Sequence, residues 1–178
     1  MRSYTMHGVM GAADRAVSLA REVLLAEVPG SRIHDVQQDP RFQHRGVDLL
    51  WDRPGQPVQG VEVKGDRQGG RRGNYFFELL SNAERESPGC FLYSEADLMA
   101  YVLLDRQETH LLTLPTVREW FLPRAKAFAL RSTRTRTGAA FYTTVGALVP
   151  VRQLRREVPE GVRVLPRPDR GTAAPLPG

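Results

Sequence analysis

The spacing of hydrophobic positions divides the first half of the chain into one helix and several strands. Over residues 11–28, apolar side chains recur every three or four positions and the run ends at Pro29, which predicts an amphipathic helix. The next segments alternate every second residue, or are apolar throughout, which is typical of strands. The predicted strands cover residues 32–36, 47–51, 58–64 and 74–80. The turn-forming sequence Asp52-Arg53-Pro54-Gly55 joins the second and third of them into a hairpin.

The second half of the chain continues in mixed order. Residues 98–104 and 109–114 are expected to form a second hairpin, and Thr116 to cap a helix over residues 117–128 that breaks near Leu122, because Pro123 follows. A last strand over residues 141–145 and a short helix over residues 151–156 complete the pattern. The order predicts an α/β (α+β) fold, with a mixed central β-sheet flanked by helices. We expect one domain over residues 1–158 and a disordered tail, rich in Pro, Gly and Arg, over residues 159–178.

Composition narrows the class of protein. The 178 residues are 41% hydrophobic and 25% charged, which is ordinary for a globular chain. No apolar run approaches the ~18–20 residues of a membrane-spanning helix, and no apolar segment follows the first seven residues as in a secretory signal. Cys90 is the only cysteine, which excludes an internal disulfide and a cysteine-based zinc site. We therefore expect a soluble, cytoplasmic protein with no membrane partner.

The positive charge of the chain is carried almost wholly by arginine. The formal net charge is +5, and only Lys64 and Lys126 are lysines among the 25 basic residues. An arginine-rich composition of this kind is typical of GC-rich coding and is weak evidence for phosphate contacts. A lysine in such a chain therefore stands out as a candidate for chemistry that arginine cannot perform.

The hairpin around residues 47–64 carries the candidate chemistry. Strand geometry places Glu62 and Lys64 on one face and Val61 and Val63 on the other, and Asp48 lies on the neighbouring strand. Two carboxylates, completed by the backbone carbonyl of Val63, suit a hard divalent cation such as Mg²⁺ or Mn²⁺. A lysine ammonium beside them could orient or help to deprotonate an attacking water. The alternative is a structural ion pair on a half-exposed hairpin, which would be worth little energetically.

The same residues carry a resemblance to a known family. Asp48 followed by Glu62-Val63-Lys64 on adjacent strands, after a leading helix and before a further core strand, resembles the PD-(D/E)XK nuclease superfamily, which includes restriction endonucleases, Holliday-junction resolvases and RecB-like nucleases. The resemblance covers residues 11–82. It implies a restriction-endonuclease-like core, metal ligands at Asp48 and Glu62, and a catalytic lysine at Lys64. The chain departs from the pattern at Val47, where the family often has proline.

Further candidate site residues lie outside the hairpin. The superfamily often adds an acid from its first helix, for which Asp14 or Glu22 is the candidate, although a solvated helix face is the commoner explanation. Glu78 is the only charge in its predicted strand, so it must find a cation, water or the site itself. Asp66 follows Glu62 and Lys64 in register, but past the predicted end of the strand.

Two basic segments are candidate contacts for DNA phosphates. The first is the glycine-rich segment 65–73, interpreted as a flexible loop, and the second is a stretch with Ser and Thr between its arginines. The alternative for both is exposed, solubilising arginine. The candidate DNA-binding residues are Arg67, Arg71, Arg72, Arg131, Arg134 and Arg136.

The sequence is best interpreted as a metal-dependent endonuclease acting on DNA, with a homodimer as the candidate assembly. The first alternative is a catalytically inactive DNA-binding or protein-interaction module of the same fold. The second is an unrelated interaction protein with a structural hairpin. The intact Asp48, Glu62 and Lys64 favour the enzyme, because a decayed site usually loses one of its residues.

Overall fold

A computed structural model describes residues 2–168, with side chains from residue 11 onward. The helices are α1 (Met6–Glu27), α2 (Pro40–Gln43), α3 (Gly69–Arg72), α4 (Cys90–Tyr93), α5 (Leu114–Phe121) and α6 (Val151–Glu157). The strands are β1 (Arg2–Thr5), β2 (Arg32–Asp35), β3 (Leu49–Asp52), β4 (Gln59–Asp66), β5 (Asn74–Asn82), β6 (Ser87–Pro88), β7 (Leu98–Leu103), β8 (Glu108–Thr113), β9 (Ala129–Thr137), β10 (Ala140–Pro150) and β11 (Val162–Leu165).

The strands form two mixed sheets. The larger sheet has six strands in the order β11-β8-β7-β4-β3-β2, and the smaller has five in the order β1-β9-β10-β5-β6. Within each sheet one pair is parallel, β4 with β7 and β1 with β9, and the other pairs are antiparallel. The predicted mixed α/β architecture with flanking helices is confirmed. The strand β5 lies between β10 and β6, so it belongs to the smaller sheet rather than to that of β3 and β4.

One face of the six-stranded sheet is covered by α1. Ala16, Ala20 and Leu24 of the helix are fully buried against Trp51 and Val61 of the sheet. The alanines allow a close approach, and Gly65 of β4 completes the fit. A Cβ atom added to Gly65 would lie 2.8 Å from the Cβ of Ala16. This contact fixes α1 directly over the strand that carries the candidate site.

The opposite face of that sheet shares a second core with the five-stranded sheet. Tyr101 of β7 meets Tyr75 of β5 edge to face, with ring centroids 5.0 Å apart. Phe77 of β5 stacks on Phe91 of α4 at 4.0 Å, and Phe121 of α5 contacts both rings. Since β5 buries Tyr75 and Phe77 on this side, its intervening side chains point the other way.

The structure departs from the predicted elements in the second half. The helix predicted over residues 117–128 is shorter and begins earlier than expected. It is α5, which begins after Thr113 because Pro115 suits the first helical turn. A 3₁₀ segment, Leu122–Ala127, follows the predicted break. The basic stretch beyond it forms β9, which its polar composition did not indicate. In the expected tail, β11 pairs with β8, and residues 169–178 lie outside the described residues. Within residues 2–168, no helix has the length and apolar character needed to span a membrane.

The close contact between α1 and β4 leads to a prediction about the free energy of unfolding. The substitution Gly65→Ala forces apart Gly65 and Ala16 and should lower the free energy of unfolding by about 1–3 kcal/mol, the usual cost of overpacking. Gly11 of α1 has open space around it, so Gly11→Ala should instead be neutral or stabilise by up to about 1 kcal/mol. Urea unfolding of the two variants measures both values. Equal stability of the two variants would contradict the packing described here.

Candidate functional site

The two faces of β4 have opposite environments. Val61 and Val63 pack into the core beneath α1, as the predicted alternation requires. Glu62, Lys64 and Asp66 line a cleft of about 710 Å³. The other walls of the cleft include residues of α1, α3, α4 and the five-stranded sheet, together with Tyr101 of β7 and the segment that joins β4 to α3. The hydrophobic anchoring of one face of β4 therefore directs its charged face into the cleft.

Asp48 is fixed to β4 by its backbone and its side chain. It directly precedes β3, and its N–H donates to the carbonyl of Val61 at 2.9 Å. Its Oδ2 accepts a hydrogen bond from the N–H of Val63 at 2.8 Å. Burial raises the pKa of Asp48 above its usual range, and the hydrogen bond from Val63 offsets part of this effect. The carboxylate of Asp48 is thus held beside the segment that carries Glu62.

Glu62 is a nearly buried carboxyl group with an acidic neighbour. Only 8% of the residue is exposed. Burial, and secondarily the negative charge of Asp48, raise the pKa of Glu62 to about 8, against the opposing effect of Lys64. The thiol of Cys90 also hydrogen-bonds to Glu62, and burial raises the pKa of that thiol. Two carboxyl groups whose charges oppose each other in this way are a favourable place for a cation.

Lys64 makes an ion pair with Glu78 across the cleft. The two side chains are 24% and 14% exposed, and Nζ of Lys64 donates to Oε2 of Glu78. Burial lowers the pKa of Lys64, but the acidic groups Cys90, Glu78 and Glu62 raise it by more, so that the pKa lies above its ordinary value. Glu78 comes from β5, in the other sheet. The structure therefore joins the two sheets at the candidate catalytic lysine.

Asp66 organises the segment that follows β4. Its carboxylate accepts hydrogen bonds from the N–H groups of Gln68 and Gly69, each at 2.8 Å, and from the hydroxyl of Tyr101, also at 2.8 Å. Asp105 accepts from the next two N–H groups, at 3.2 and 2.9 Å. The expected glycine-rich loop is thus a helical turn, α3, whose first three N–H groups donate to carboxylates of the protein.

The candidate DNA-binding arginines divide into two groups. Arg67, Arg72 and Arg131 line the cleft. Arg71 instead approaches Asp105, with Nε 3.9 Å from the carboxylate. Arg134 lies over the ring of Phe141, and Arg136 hydrogen-bonds to the carbonyl of Gly138. Strand alternation explains the division within β9, because Arg131 shares its face with Thr133 and Thr135, whereas Arg134 and Arg136 point to the opposite face.

The helix acids lie away from the other candidate residues. Of the described residues of α1, Ala12 and Ala13 line the cleft. Asp14 is exposed, and Glu22 makes an ion pair with Arg167 at 3.4 Å. The structure thus brings together Asp48, Glu62, Lys64 and Glu78 and leaves both helix acids outside that group.

Several cleft residues were not singled out from the sequence. Cys90 and Tyr93 reach the cleft because α4 packs on β5, and Tyr142 reaches it from β10. Each belongs to an element distant in sequence from β4, so local spacing contains no signal for it. The alternation of Tyr142 and Thr144 along β10 is the one pattern that could have suggested a shared face.

The donor set for a metal ion is small. Across the part of the chain that the structure describes, no group of three or more His, Cys, Asp or Glu side chains is arranged to hold a metal. Asp48 and Glu62 could hold an ion only with further oxygen ligands, such as the carbonyl of Val63, water or a substrate.

Comparison with known proteins adds no relative. The chain matches no protein-family model, no curated protein and no solved structure. Function must therefore be inferred from the residues and geometry of the cleft.

The ion pair between Lys64 and Glu78 leads to a second prediction about the free energy of unfolding. Glu78→Ala leaves a largely buried ammonium without its partner and should lower the free energy of unfolding by about 1–3 kcal/mol. The control is the surface ion pair of Glu95 with Arg45, whose side chains are 60% and 52% exposed. Glu95→Ala should lower the free energy of unfolding by less than about 1 kcal/mol. Urea unfolding at neutral pH compares the two. A larger loss for Glu95→Ala would show that the cleft pair is not structurally important.

Proposed function

We propose that the protein is a divalent-metal-dependent nuclease that hydrolyses phosphodiester bonds in DNA. The observation that carries the proposal is the convergence of Asp48, Glu62 and Lys64, in the pattern that resembles the PD-(D/E)XK superfamily. Glu62 and Lys64 line the cleft, and Asp48 is hydrogen-bonded to Val63 between them and acts electrostatically on Glu62. Arginines on the walls of the same cleft add the positive charge that a polyanionic substrate requires. The activity, the metal and the substrate are all parts of this proposal.

The carboxyl groups fit a hard divalent cation. Glu62 is buried beside Asp48, and this placement makes its ionised form unfavourable until a positive charge is supplied. Asp48, Glu62 and the carbonyl of Val63 would hold Mg²⁺ or Mn²⁺, which prefer such oxygen ligands. A bound ion of this kind lowers the pKa of a coordinated water and neutralises charge that develops on a phosphate.

Lys64 would contribute charge and hydrogen bonds at the reacting phosphate. Its ammonium is held by Glu78 on the same side of β4 as Glu62, and it can donate to a water or to a phosphate oxygen. Glu78 acts on this reaction through Lys64, so we assign it a positioning role. Arg67, Arg72 and Arg131 would contact phosphates farther along the strand.

One observation favours the alternative of a binding module without catalysis. Two carboxylates are a minimal ligand set, and the described residues contain no third acidic or histidine ligand beside them. A catalytically inactive module that binds DNA or a protein would have the same cleft. Metal binding and cleavage separate it from the enzyme.

Metal binding can be tested through thermal unfolding. At an ion concentration about 100 times the dissociation constant, Mg²⁺ or Mn²⁺ should stabilise the wild-type protein and raise its Tm by about 5–10 °C. Asp48→Asn and Glu62→Gln should lose this shift because each removes a charged ligand. Glu95→Gln, an exposed acid outside the cleft, should keep it. The same shift in all four proteins would place the ion elsewhere.

Catalysis can be tested through the two lysines of the chain. Lys64→Ala should reduce Mg²⁺-dependent cleavage of DNA by about 10²–10³-fold, the usual effect of removing a preorganised donor. Lys64→Arg should fail similarly, because guanidinium is larger and does not exchange a proton. The exposed Lys126 provides the control, and Lys126→Ala should cleave at the wild-type rate. DNA binding without cleavage by the wild type would support the binding module, and the absence of both would support an unrelated interaction protein.

A further inference from the structure

The wall of the cleft opposite β4 is one continuous face of the five-stranded sheet. Cross-strand partners on this face are Thr135 with Tyr142, Thr133 with Thr144, and Leu148 with Phe76. All six side chains line the cleft. This face, which we call the hydroxyl–aromatic wall, differs from the charged wall formed by β4.

The ring of Phe76 has a defined place on this wall. Gly146 lies beneath it, and a Cβ added to Gly146 would come within 2.6 Å of the ring. The backbone N–H of Phe76 donates to the hydroxyl of Tyr101 at 2.8 Å, which fixes the strand from the other sheet. The ring therefore lies close against the strand and presents its outer face to the cleft, where it is half-buried.

The wall combines flat apolar surface with neutral hydrogen-bonding groups. Phe76 and Tyr142 provide aromatic rings, and Thr133 and Thr144 provide hydroxyls. The hydroxyl of the neighbouring Ser81 donates to the carbonyls of Ser87 and Pro88, so it can only accept from a ligand. The hydroxyl of Thr144 also donates to the carbonyl of Ser81 at 3.1 Å, which orders this part of the wall. Such surfaces bind nucleobases, because a base has a π-face for stacking and polar edges for hydrogen bonds.

We propose that the cleft binds single-stranded DNA, with unpaired bases on the hydroxyl–aromatic wall and the phosphate backbone towards Lys64 and Arg131. This inference rests on the proposed nuclease function and specifies its substrate. In a duplex the base faces are covered by stacking and pairing, so Phe76 and Tyr142 could contact them only after the bases are extruded. A cleft of about 710 Å³ is also in the range of pockets for small ligands, which suits a few unstacked nucleotides.

The test measures binding in EDTA, so that cleavage does not interfere. A fluorescently labelled oligothymidylate is compared with the same strand in a blunt duplex with oligoadenylate, by fluorescence anisotropy. We expect the wild-type protein to bind the single strand at least about tenfold more tightly. Tyr142→Ala should weaken that binding about tenfold, a change that corresponds to about 1.4 kcal/mol and falls within the range for one stacked base.

Matched variants separate stacking from a change in folding. Tyr142→Phe keeps the ring and should bind as the wild type does. Phe141 is adjacent in the same strand, is 44% exposed and points to the opposite face, so Phe141→Ala should leave the affinity unchanged. Equal loss in Tyr142→Ala and Phe141→Ala, or equal affinity for the duplex, would overturn the inference. Tighter binding of oligouridylate than of oligothymidylate would overturn the assignment of DNA.

Failure of this inference is distinguishable from failure of the proposed function. Cleavage of duplex DNA that requires Lys64 but is unaffected by Tyr142→Ala would refute the single-strand inference and support the nuclease. Binding of single strands that requires the ring of Tyr142, without cleavage in Mg²⁺ or Mn²⁺, would support the single-strand inference and refute the nuclease.

Discussion

The packing of Val61, which is fully buried, and Val63, which is partly buried, beneath α1 is the constraint on which the site depends. These two residues lock β4 between β3 and β7 in the middle of the six-stranded sheet. Because side chains alternate along a strand, the same burial forces Glu62 and Lys64 towards the cleft. Hydrophobic packing on one face thus holds ionisable groups in a position that they would not otherwise adopt. Slippage of β4 by one residue would exchange the two faces and destroy both the core and the cleft.

Each ionisable group at the candidate site has a charged neighbour that changes the stability of its ionised form. Asp48 makes the ionised form of Glu62 less favourable, whereas Lys64 makes it more favourable. Glu78 holds the ammonium of Lys64 from the other sheet. A cation that bound beside the two carboxylates would therefore also lower the pKa of Glu62 and favour its ionised form. The two sheets are thereby coupled by charge at the cleft as well as by aromatic packing in the core.

Local pattern predicted much of the fold and part of the candidate site. The alternation in residues 58–64 was sufficient to assign the two faces of β4, and the isolated charge of Glu78 pointed to a partner that proved to be Lys64. The strand β9 has no alternation of hydrophobic and polar residues, because most of it is exposed, so sequence spacing could not reveal which of its arginines faces the cleft. The contacts of Cys90 and Tyr142 depend on packing between elements distant in sequence, which local spacing does not encode.

Two carboxylates from outside α3 accept hydrogen bonds from its backbone: that of Asp66 at the end of β4 and that of Asp105 in the turn between β7 and β8. Arg67, which precedes this turn, and Arg72, its last residue, consequently reach the cleft from a main chain that is already ordered. A ligand that engages Arg72 restricts side-chain rotation, at a cost of about 0.5–1.5 kcal/mol, and needs no folding of the loop. The glycines that suggested a flexible segment thus belong to an ordered main chain, so that binding of an anion there would carry a small entropic penalty.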